Sequence, residues 1–137
     1  MRHFKIHIVY NFTDIPFGGA NQFLKALRDF FIKKGCYSKS IKDADVVILN
    51  SHLFGQGITL FNIIWKYRHY LREKTVLHRV DGPVSLYQAK NRFSVDKYIF
   101  KISRLVSDGT VFQSFWSQKE CKSIGMPSKS FELITIN

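Results

Sequence analysis

Two short stretches of this sequence carry residue types that suit chemistry on a phosphate or a hydroxyl group. Gly18 and Gly19 stand between an apolar run and a helical pattern. Without side chains, their backbone lets a ligand approach closely, and the N–H groups of a helix N-terminus suit a phosphate. Asp81 follows another apolar run, and a carboxylate near a hydroxyl can act as a general base. Both stretches also resemble ordinary turns, so a purely structural role stays open for each.

Further polar side chains follow or end the predicted strands. Ligands of open parallel sheets bind beyond the carboxyl ends of the strands, so these side chains are the candidates for contact with an acceptor substrate. They are Asn50, Ser51, His52, Arg79 and Gln113. Strand alternation places Arg79 on the same face as Asp81, where it can pair with Asp81 or with a ligand phosphate. His78 faces the other way and is predicted to be a packed histidine.

The sequence predicts no metal site and no bound cofactor. His3 and His7 lie along the first strand without further ligands nearby, and Cys36 and Cys121 have no metal-binding spacing. Two distant cysteines make no disulfide framework, which favours a reduced cytoplasmic compartment. The three-glycine dinucleotide fingerprint is absent, which argues against a nicotinamide enzyme.

The elements that must position these residues alternate between strands and helices. The predicted strands are 4–10, a weak one at 37–41, 46–49, 75–80, 110–112 and 131–136. The predicted helices are 21–34, 58–72, 84–104 with an interruption near Ser94, and one capped by Ser114 or Ser117 that ends near Ser123. Residues 46–65 contain no Asp, Glu, Lys or Arg, but their polar residues and glycines favour a strand, a loop and a helix start over a membrane span.

This alternation predicts a Rossmann-like three-layer α/β fold, with a parallel sheet of about six strands and helices on both faces. A length of 137 residues suits a single domain spanning 1–137. In the usual strand order the first strand lies next to the strand that ends at Asp81. Gly18 and Gly19 are therefore expected to face Asp81 across one crevice.

The chain is strongly basic, with a formal net charge of +11. Such a surplus favours a polyanionic partner: nucleic acid, an anionic membrane surface or a phosphorylated ligand. The C-terminal half of the helix at 58–72 is rich in cations. They suit a solvated face that complements the helix dipole, and contact with anionic lipid or phosphate is the alternative. Lys5 and His7 interrupt the first apolar run, so a signal peptide is not expected there.

Three stretches resemble the N-terminal half of GT-B fold glycosyltransferases, especially the retaining type of family 4. They are Gly18-Gly19-Ala20-Asn21-Gln22-Phe23-Leu24, His78-Arg79-Val80-Asp81-Gly82-Pro83 and Asp108-Gly109-Thr110-Val111-Phe112-Gln113-Ser114. The resemblance spans nearly the whole chain. It implies two Rossmann-like domains, of which the first mainly binds the acceptor and the second mainly binds the nucleotide of an activated sugar. Transfer then takes place in the cleft between them.

The resemblance also assigns roles to residues. The glycine loop of the family approaches the donor diphosphate, which matches Gly18 and Gly19. A polar residue after the fourth strand, often His, lies near the reacting sugar in the family; Asp81 occupies about that position and departs from the pattern. The match at 108–114 is expected to be structural. The paired glutamates of the second domain have no counterpart, so the chain is expected to be a truncated form, a gene fragment or one half of a two-chain enzyme, inactive alone.

The resemblance thus implies transfer of a sugar from a nucleotide-sugar donor to a hydroxyl acceptor, which is a sugar or is lipid-linked, with retained anomeric configuration. The sequence also predicts a cytoplasmic location, with peripheral contact with an anionic membrane at its inner face. The alternative is a non-enzymatic Rossmann-like module that binds nucleotide or nucleic acid through its positive surface. A degenerate fragment without activity is a third reading. Nucleic-acid binding would fall steeply as salt rises, which distinguishes the first two.

Overall fold

A computed structural model describes residues 3–15, 18–50, 60–87 and 93–135. The fold is α/β and Rossmann-like, with a parallel sheet of five strands. The elements are β1 Ile6–Val9, α1 Gly19–Lys33, β2 Val46–Asn50, α2 Leu60–Leu71, β3 Thr75–Val80, α3 Val84–Tyr87, α4 Phe93–Val106, β4 Gly109–Phe112, α5 Phe115–Ser123 and β5 Phe131–Ile134. The chain forms two compact units, Met1–Thr75 and Val76–Asn137.

In the first unit, β1 and β2 pair in parallel, with His7 opposite Val47 and Val9 opposite Leu49. Val47 and Leu49 are completely buried, as the near-continuous apolar composition of β2 predicts for a strand covered on both faces. α1 has an apolar stripe that includes Leu24, which is also completely buried. Burial of these side chains stabilises the unit and brings the carboxyl ends of both strands to the same edge.

The weak strand predicted after α1 is reduced to one isolated bridge between Tyr37 and Ile6. The N–H of Ile6 donates to the carbonyl of Cys36 at 2.8 Å, and the N–H of Ser38 donates to the carbonyl of Ile6 at 2.8 Å. The hydroxyl of Ser38 then donates to the carbonyl of Ser40 at 2.8 Å. A local side-chain bond of this kind competes with continued strand pairing. The predicted count of about six strands is therefore corrected to five.

The predicted neighbour of β1 is also wrong. Ile6 bonds to the segment around Tyr37, whereas the carbonyl of Lys5 accepts from the N–H of Val46 at 3.0 Å. Successive residues of a strand point their backbone groups to opposite edges, so both edges of β1 are used within the first unit. β1 therefore lies between β2 and the Tyr37 segment, not beside the strand that ends at Asp81. The expected order came from fold analogy, whereas hydrogen bonds between distant segments set it.

In the second unit, β4 is paired on both sides. Val80 of β3 lies opposite Phe112 of β4, and Phe112 lies opposite Ile134 of β5, all in parallel. Phe112 is completely buried, and the core around it consists of Val80, Val84, Ile99, Phe100, Phe112, Cys121 and Met126. This core includes residues of α3, α4 and α5 and holds the ends of β3 and β4 in place.

The helix predicted at 84–104 is two helices, α3 and α4, and α4 begins at Phe93, next to the predicted interruption. Of the two serines predicted as possible caps, Ser114 is the N-cap of α5: its hydroxyl accepts from the N–H of Ser117 at 3.1 Å. Within the described ranges, no helix is long and apolar enough to cross a membrane. The stretch that superficially resembles a span contains β2 and the start of α2, and its residues 51–59 lie outside the described residues.

Candidate functional site

The turn from β1 to α1 exposes backbone where the glycine pair lies. Gly18 is the N-cap of α1 with φ 83, ψ 131, a conformation that side chains rarely adopt. Gly19 is the first residue of the helix, and both glycines are exposed. A Cβ atom added at either position would meet nothing within 4 Å. Among the described residues, the space beside these two glycines is therefore open to a ligand.

The start of α1 favours negative charge. No side-chain hydrogen bond from the N-cap satisfies its first N–H groups, and its first turn contains no acidic residue. The partial positive charge of a helix N-terminus then attracts an anion through backbone N–H groups. Gly18 and Gly19, predicted as the phosphate-binding pair, thus have the exposure and conformation that this role requires.

Asn21 holds the loop before this turn, a role that the sequence did not disclose. Its side chain is 2% exposed. Its amide oxygen accepts from the N–H of Thr13 at 3.4 Å, and its amide nitrogen donates to the carbonyls of Thr13 at 3.2 Å and Ile15 at 3.4 Å. The available signal was an asparagine in the first helical turn, directly after the glycine pair. Asn21 is a positioning residue, because it satisfies backbone groups of the loop that carries the chain to Gly18.

The turn after β3 is built from side chains. Arg79, which is 3% exposed, forms an ion pair with the carboxylate of Asp81, as strand alternation predicted. The Asp81 side chain is 22% exposed, so it lies at the boundary between the interior and solvent. His78 is completely buried, as predicted for the opposite face. The guanidinium of Arg79 therefore helps to position Asp81.

Two further contacts hold this turn, and neither was predicted. Asp96 of α4 is 1% exposed, and its carboxylate accepts from the N–H of Val84 at 2.7 Å, from the N–H of Ser85 at 3.1 Å and from the Ser85 hydroxyl. The hydroxyl of Ser117 donates to the backbone carbonyl of Asp81 at 3.1 Å. A buried carboxylate that accepts the first N–H groups of α3 caps that helix. These contacts fix the chain on both sides of Gly82 and Pro83.

Gln113 lies at the carboxyl end of β4. Its backbone N–H donates to the carbonyl of Val80 at 3.2 Å, and its carbonyl accepts from the hydroxyl of Thr135 at 3.0 Å. Its side chain is exposed. The second unit therefore brings Arg79, Asp81 and Gln113 to one edge of its strands.

The remaining predicted residues belong to the first unit or lie outside the described residues. Asn50 ends β2 and is 3% exposed, so it is an interior residue at the carboxyl edge, next to the end of β1. Ser51 and His52 lie outside the described residues. The predicted crevice joining the glycine pair to Asp81 rested on the wrong neighbour for β1 and loses that support.

The titration of two groups bears on which chemistry is available. Burial, helped by the nearby carboxylates of Asp96 and Glu120, raises the pKa of the Cys121 thiol to about 12. Because the thiolate is the nucleophilic form, Cys121 is inert as a nucleophile at neutral pH. Burial lowers the pKa of His7, although its hydrogen bond to the carbonyl of Ser38 opposes the shift. Within the described residues, no group of His, Cys, Asp or Glu side chains is arranged to hold a metal ion.

Comparison with known proteins identifies no relative: no family model, no curated protein and no solved structure matches this chain.

Proposed function

We propose that this chain is the acceptor-side domain of a GT-B fold glycosyltransferase. The full enzyme transfers a sugar from a nucleotide-sugar donor to a hydroxyl acceptor, with retention of anomeric configuration. The observation that carries the proposal is the open glycine pair at the start of α1, where backbone N–H groups can meet the donor diphosphate. The Rossmann-like fold is compatible with it. The nucleotide itself binds a second Rossmann-like domain, which completes the enzyme.

The proposal gives Asp81 the role of general base. Its carboxylate, held by Arg79, takes the proton of the acceptor hydroxyl as that oxygen attacks the anomeric carbon. The bond from that carbon to the diphosphate breaks, and nucleoside diphosphate leaves from the same face, which retains the configuration. Because Arg79 is buried and paired, it acts through Asp81 as a positioning residue. The exposed side chain of Gln113 is proposed to contact the acceptor.

The test uses the intact native protein, purified from its source, with a panel of nucleotide sugars and hydroxyl acceptors. We expect release of nucleoside diphosphate that requires an acceptor. Gly19→Ala should lower kcat/KM by at least about tenfold, because a methyl group would stand where the diphosphate approaches. Ser123→Ala, at the far end of α5, is the control and should leave kcat/KM unchanged. If no donor and acceptor pair yields nucleoside diphosphate, the proposal is wrong.

A second measurement addresses the second domain. The intact mass of the native protein should be near twice that of the 16.0 kDa chain, or the chain should copurify with a partner of that size. The isolated 137-residue chain should release no nucleoside diphosphate, since the contacts that bind the nucleotide lie elsewhere. Sugar transfer by the isolated chain would contradict the proposal that a second domain binds the nucleotide.

The membrane contact is proposed for α2. Phe61 is 56% exposed and Trp65 is 62% exposed, one turn apart, and the Arg68 guanidinium lies 4.6 Å from the centroid of the Trp65 ring. Exposed aromatic rings beside cations suit the headgroup region of an anionic bilayer, here on the cytoplasmic side of the membrane. The chain should cosediment with vesicles that contain phosphatidylglycerol but not with pure phosphatidylcholine vesicles. Trp65→Ala should reduce this binding, and equal binding to both vesicles would contradict the contact.

The charge also favours a second candidate, a non-enzymatic module that binds nucleic acid or nucleotide. Its support is the net charge of +11 and the exposed Lys97, Lys101 and Arg104 on α4. Binding to a labelled oligonucleotide should then be tight in low salt and weaken steeply between 50 and 200 mM salt, by roughly a thousandfold for six phosphate contacts. Weak binding without nucleotide-sugar chemistry would contradict both candidates.

A further inference from the structure

The first unit contains a cleft of about 540 Å³ beside the carboxyl end of β1. Its walls come from β1 and the residues after it, from the segment at 37–41 and from α2. This size lies within the range of small-molecule sites, about 300 to 1,000 Å³. Its described lining residues include neither of the glycines at the start of α1, nor Asn50, Arg79 or Gln113 of the predicted acceptor residues.

The cleft exists because two segments part. The Tyr37 segment pairs with Ile6, and that pairing is an isolated bridge. β1 continues to Val9, whereas the Tyr37 segment turns at the hydrogen bond between Ser38 and Ser40. Strand alternation places the backbone N–H of Ile8, which lines the cleft, on the same edge as that of Ile6. A strand that ends early therefore leaves a space with a backbone donor at its side.

Aromatic rings form much of the wall. His7 stacks on Tyr37 with ring centroids 6.5 Å apart, and Tyr10 meets Phe12 edge-on at 5.3 Å. The Arg28 guanidinium lies 4.5 Å from the centroid of the Phe12 ring. Burial raises the pKa of Tyr37, with the charge of Arg28 opposing the shift, so its hydroxyl remains a donor at neutral pH. Aromatic residues in the lining of a cleft suit a ligand that contains a ring.

The charged groups of the wall are positive. Lys39 and Lys66 line the cleft, and no Asp or Glu is found among its described lining residues. The Lys66 ammonium lies 5.3 Å from the centroid of the Tyr67 ring. The Nδ1–H of His7 donates to the carbonyl of Ser38 at 2.9 Å, so Nε2 of the neutral ring is an acceptor. The wall thus combines two ammonium groups, aromatic faces and a hydrogen-bond acceptor.

We propose that this cleft binds a small organic anion, a ring compound that carries one phosphate or carboxylate group. The ring lies against Tyr37 and Tyr67, and Lys39 and Lys66 hold the anionic group. His7 accepts from a hydroxyl of the ring. No described residue that is assigned to sugar transfer lines this cleft, so the proposal is independent of the proposed function.

The test measures binding to the 137-residue chain by calorimetry and by amide chemical shifts. The probes are glucose 6-phosphate and phenyl phosphate, with glucose and inorganic phosphate as controls that lack the charge or the ring. We expect at least one ring phosphate to bind about tenfold more tightly than either control, because the ring and the charge contribute together. Its largest shifts should be at Tyr10, Tyr37 and Tyr67. Whichever probe binds tells whether the ring is a sugar or an aromatic.

Matched variants separate the cleft from general charge. The double variant Lys39→Gln, Lys66→Gln should weaken binding of that ring phosphate by at least about tenfold. Lys33→Gln, Lys119→Gln removes the same charge from exposed positions outside the cleft and should change binding less than about twofold, as screened surface charges do. Equal loss in both double variants would overturn the proposal. So would binding no tighter than that of inorganic phosphate, or shifts confined to residues outside the cleft.

Discussion

Two strand-to-helix turns of this chain, the one before α1 and the one before α3, use opposite means to present a strand end. The turn before α1 ends in Gly18 and Gly19, whose backbone is exposed and has open space around it. The turn before α3 consists of Asp81, Gly82 and Pro83 and is held by the ion pair to Arg79 and by the buried carboxylate of Asp96. One offers backbone N–H groups to a ligand, and the other offers a single positioned side chain.

The two turns are therefore sensitive to mutations at different positions. The turn before α1 depends on the backbone conformation of its glycines, so a mutation far away in the sequence should affect it little. A turn held by side chains depends on residues remote in sequence, since Asp96 comes 15 positions after Asp81. Buried hydrogen-bonded carboxylates carry the larger energetic weight, because their removal leaves polar groups unsatisfied in the interior. Four predictions follow, from the largest effect to the smallest.

Asp96→Ala should destabilise the chain most, by about 3 kcal/mol, because it leaves the N–H groups of Val84 and Ser85 without their acceptor. Urea unfolding followed by circular dichroism measures this. Asp29→Ala is the control: its carboxylate is exposed and pairs with the adjacent Arg28, so the loss should stay below about 0.5 kcal/mol. Similar losses in both variants would show that the α3 turn does not depend on Asp96.

Asp81→Ala should cost about 2 kcal/mol, because it leaves the buried guanidinium of Arg79 without its carboxylate. Asp81→Asn keeps an oxygen acceptor and should cost less than the alanine variant, by the same unfolding measurement. Under the proposed transfer reaction, both variants should abolish turnover, because neither can accept a proton. An Asp81→Asn enzyme with full kcat would mean that Asp81 only shapes the turn.

Gly18→Ala and Gly19→Ala separate strain from access. Gly18 has a positive φ, so alanine should cost about 1 kcal/mol of stability. Gly19 is helical, so alanine there should be neutral or stabilising by about 0.5 kcal/mol. Thermal unfolding of the two variants checks the split. Equal destabilisation would show that the turn is constrained at both positions, contrary to the open space around them.

The smallest effect is the pH dependence that His7 contributes to stability. Its pKa is lower in the folded chain than the ordinary value of 6.5, so the unfolded chain binds the proton more readily. Above pH 6.5 the imidazole is neutral in both states and this term is absent. As the pH falls below 6.5, the free energy of unfolding should decrease. His7→Gln should flatten the difference in urea midpoints between pH 7.5 and 5.5; an unchanged pH dependence would contradict the assignment to His7.

Much of the fold could be predicted from local patterns. The β2 and β3 runs, the apolar stripe of α1 and the Ser114 cap are local features, and each appears near its predicted place. The prediction of a weak strand after α1 was wrong, because the Ser38 hydroxyl donates to the nearby Ser40 carbonyl and the pairing stops. Residue propensities alone do not show that a side-chain hydrogen bond competes with strand pairing.

The candidate site divides in the same way. Alternation along β3 is a local rule, and it placed Arg79 on the side of Asp81, with which it forms an ion pair. Asn21 and Asp96 were missed because their partners are backbone groups, which any residue supplies and no side-chain pattern reveals. The cleft beside β1 was missed for a related reason, since it arises from a strand that is absent.

Residue types and their near neighbours account for the alternation of strands and helices, the glycine pair at the start of α1 and the positive charge. The tertiary structure decided which strands lie beside β1 and which backbone groups Asn21 and Asp96 satisfy. The physical reason is that pairing and burial join residues far apart in the chain. Their free energy depends on all the competing partners that the folded chain brings together.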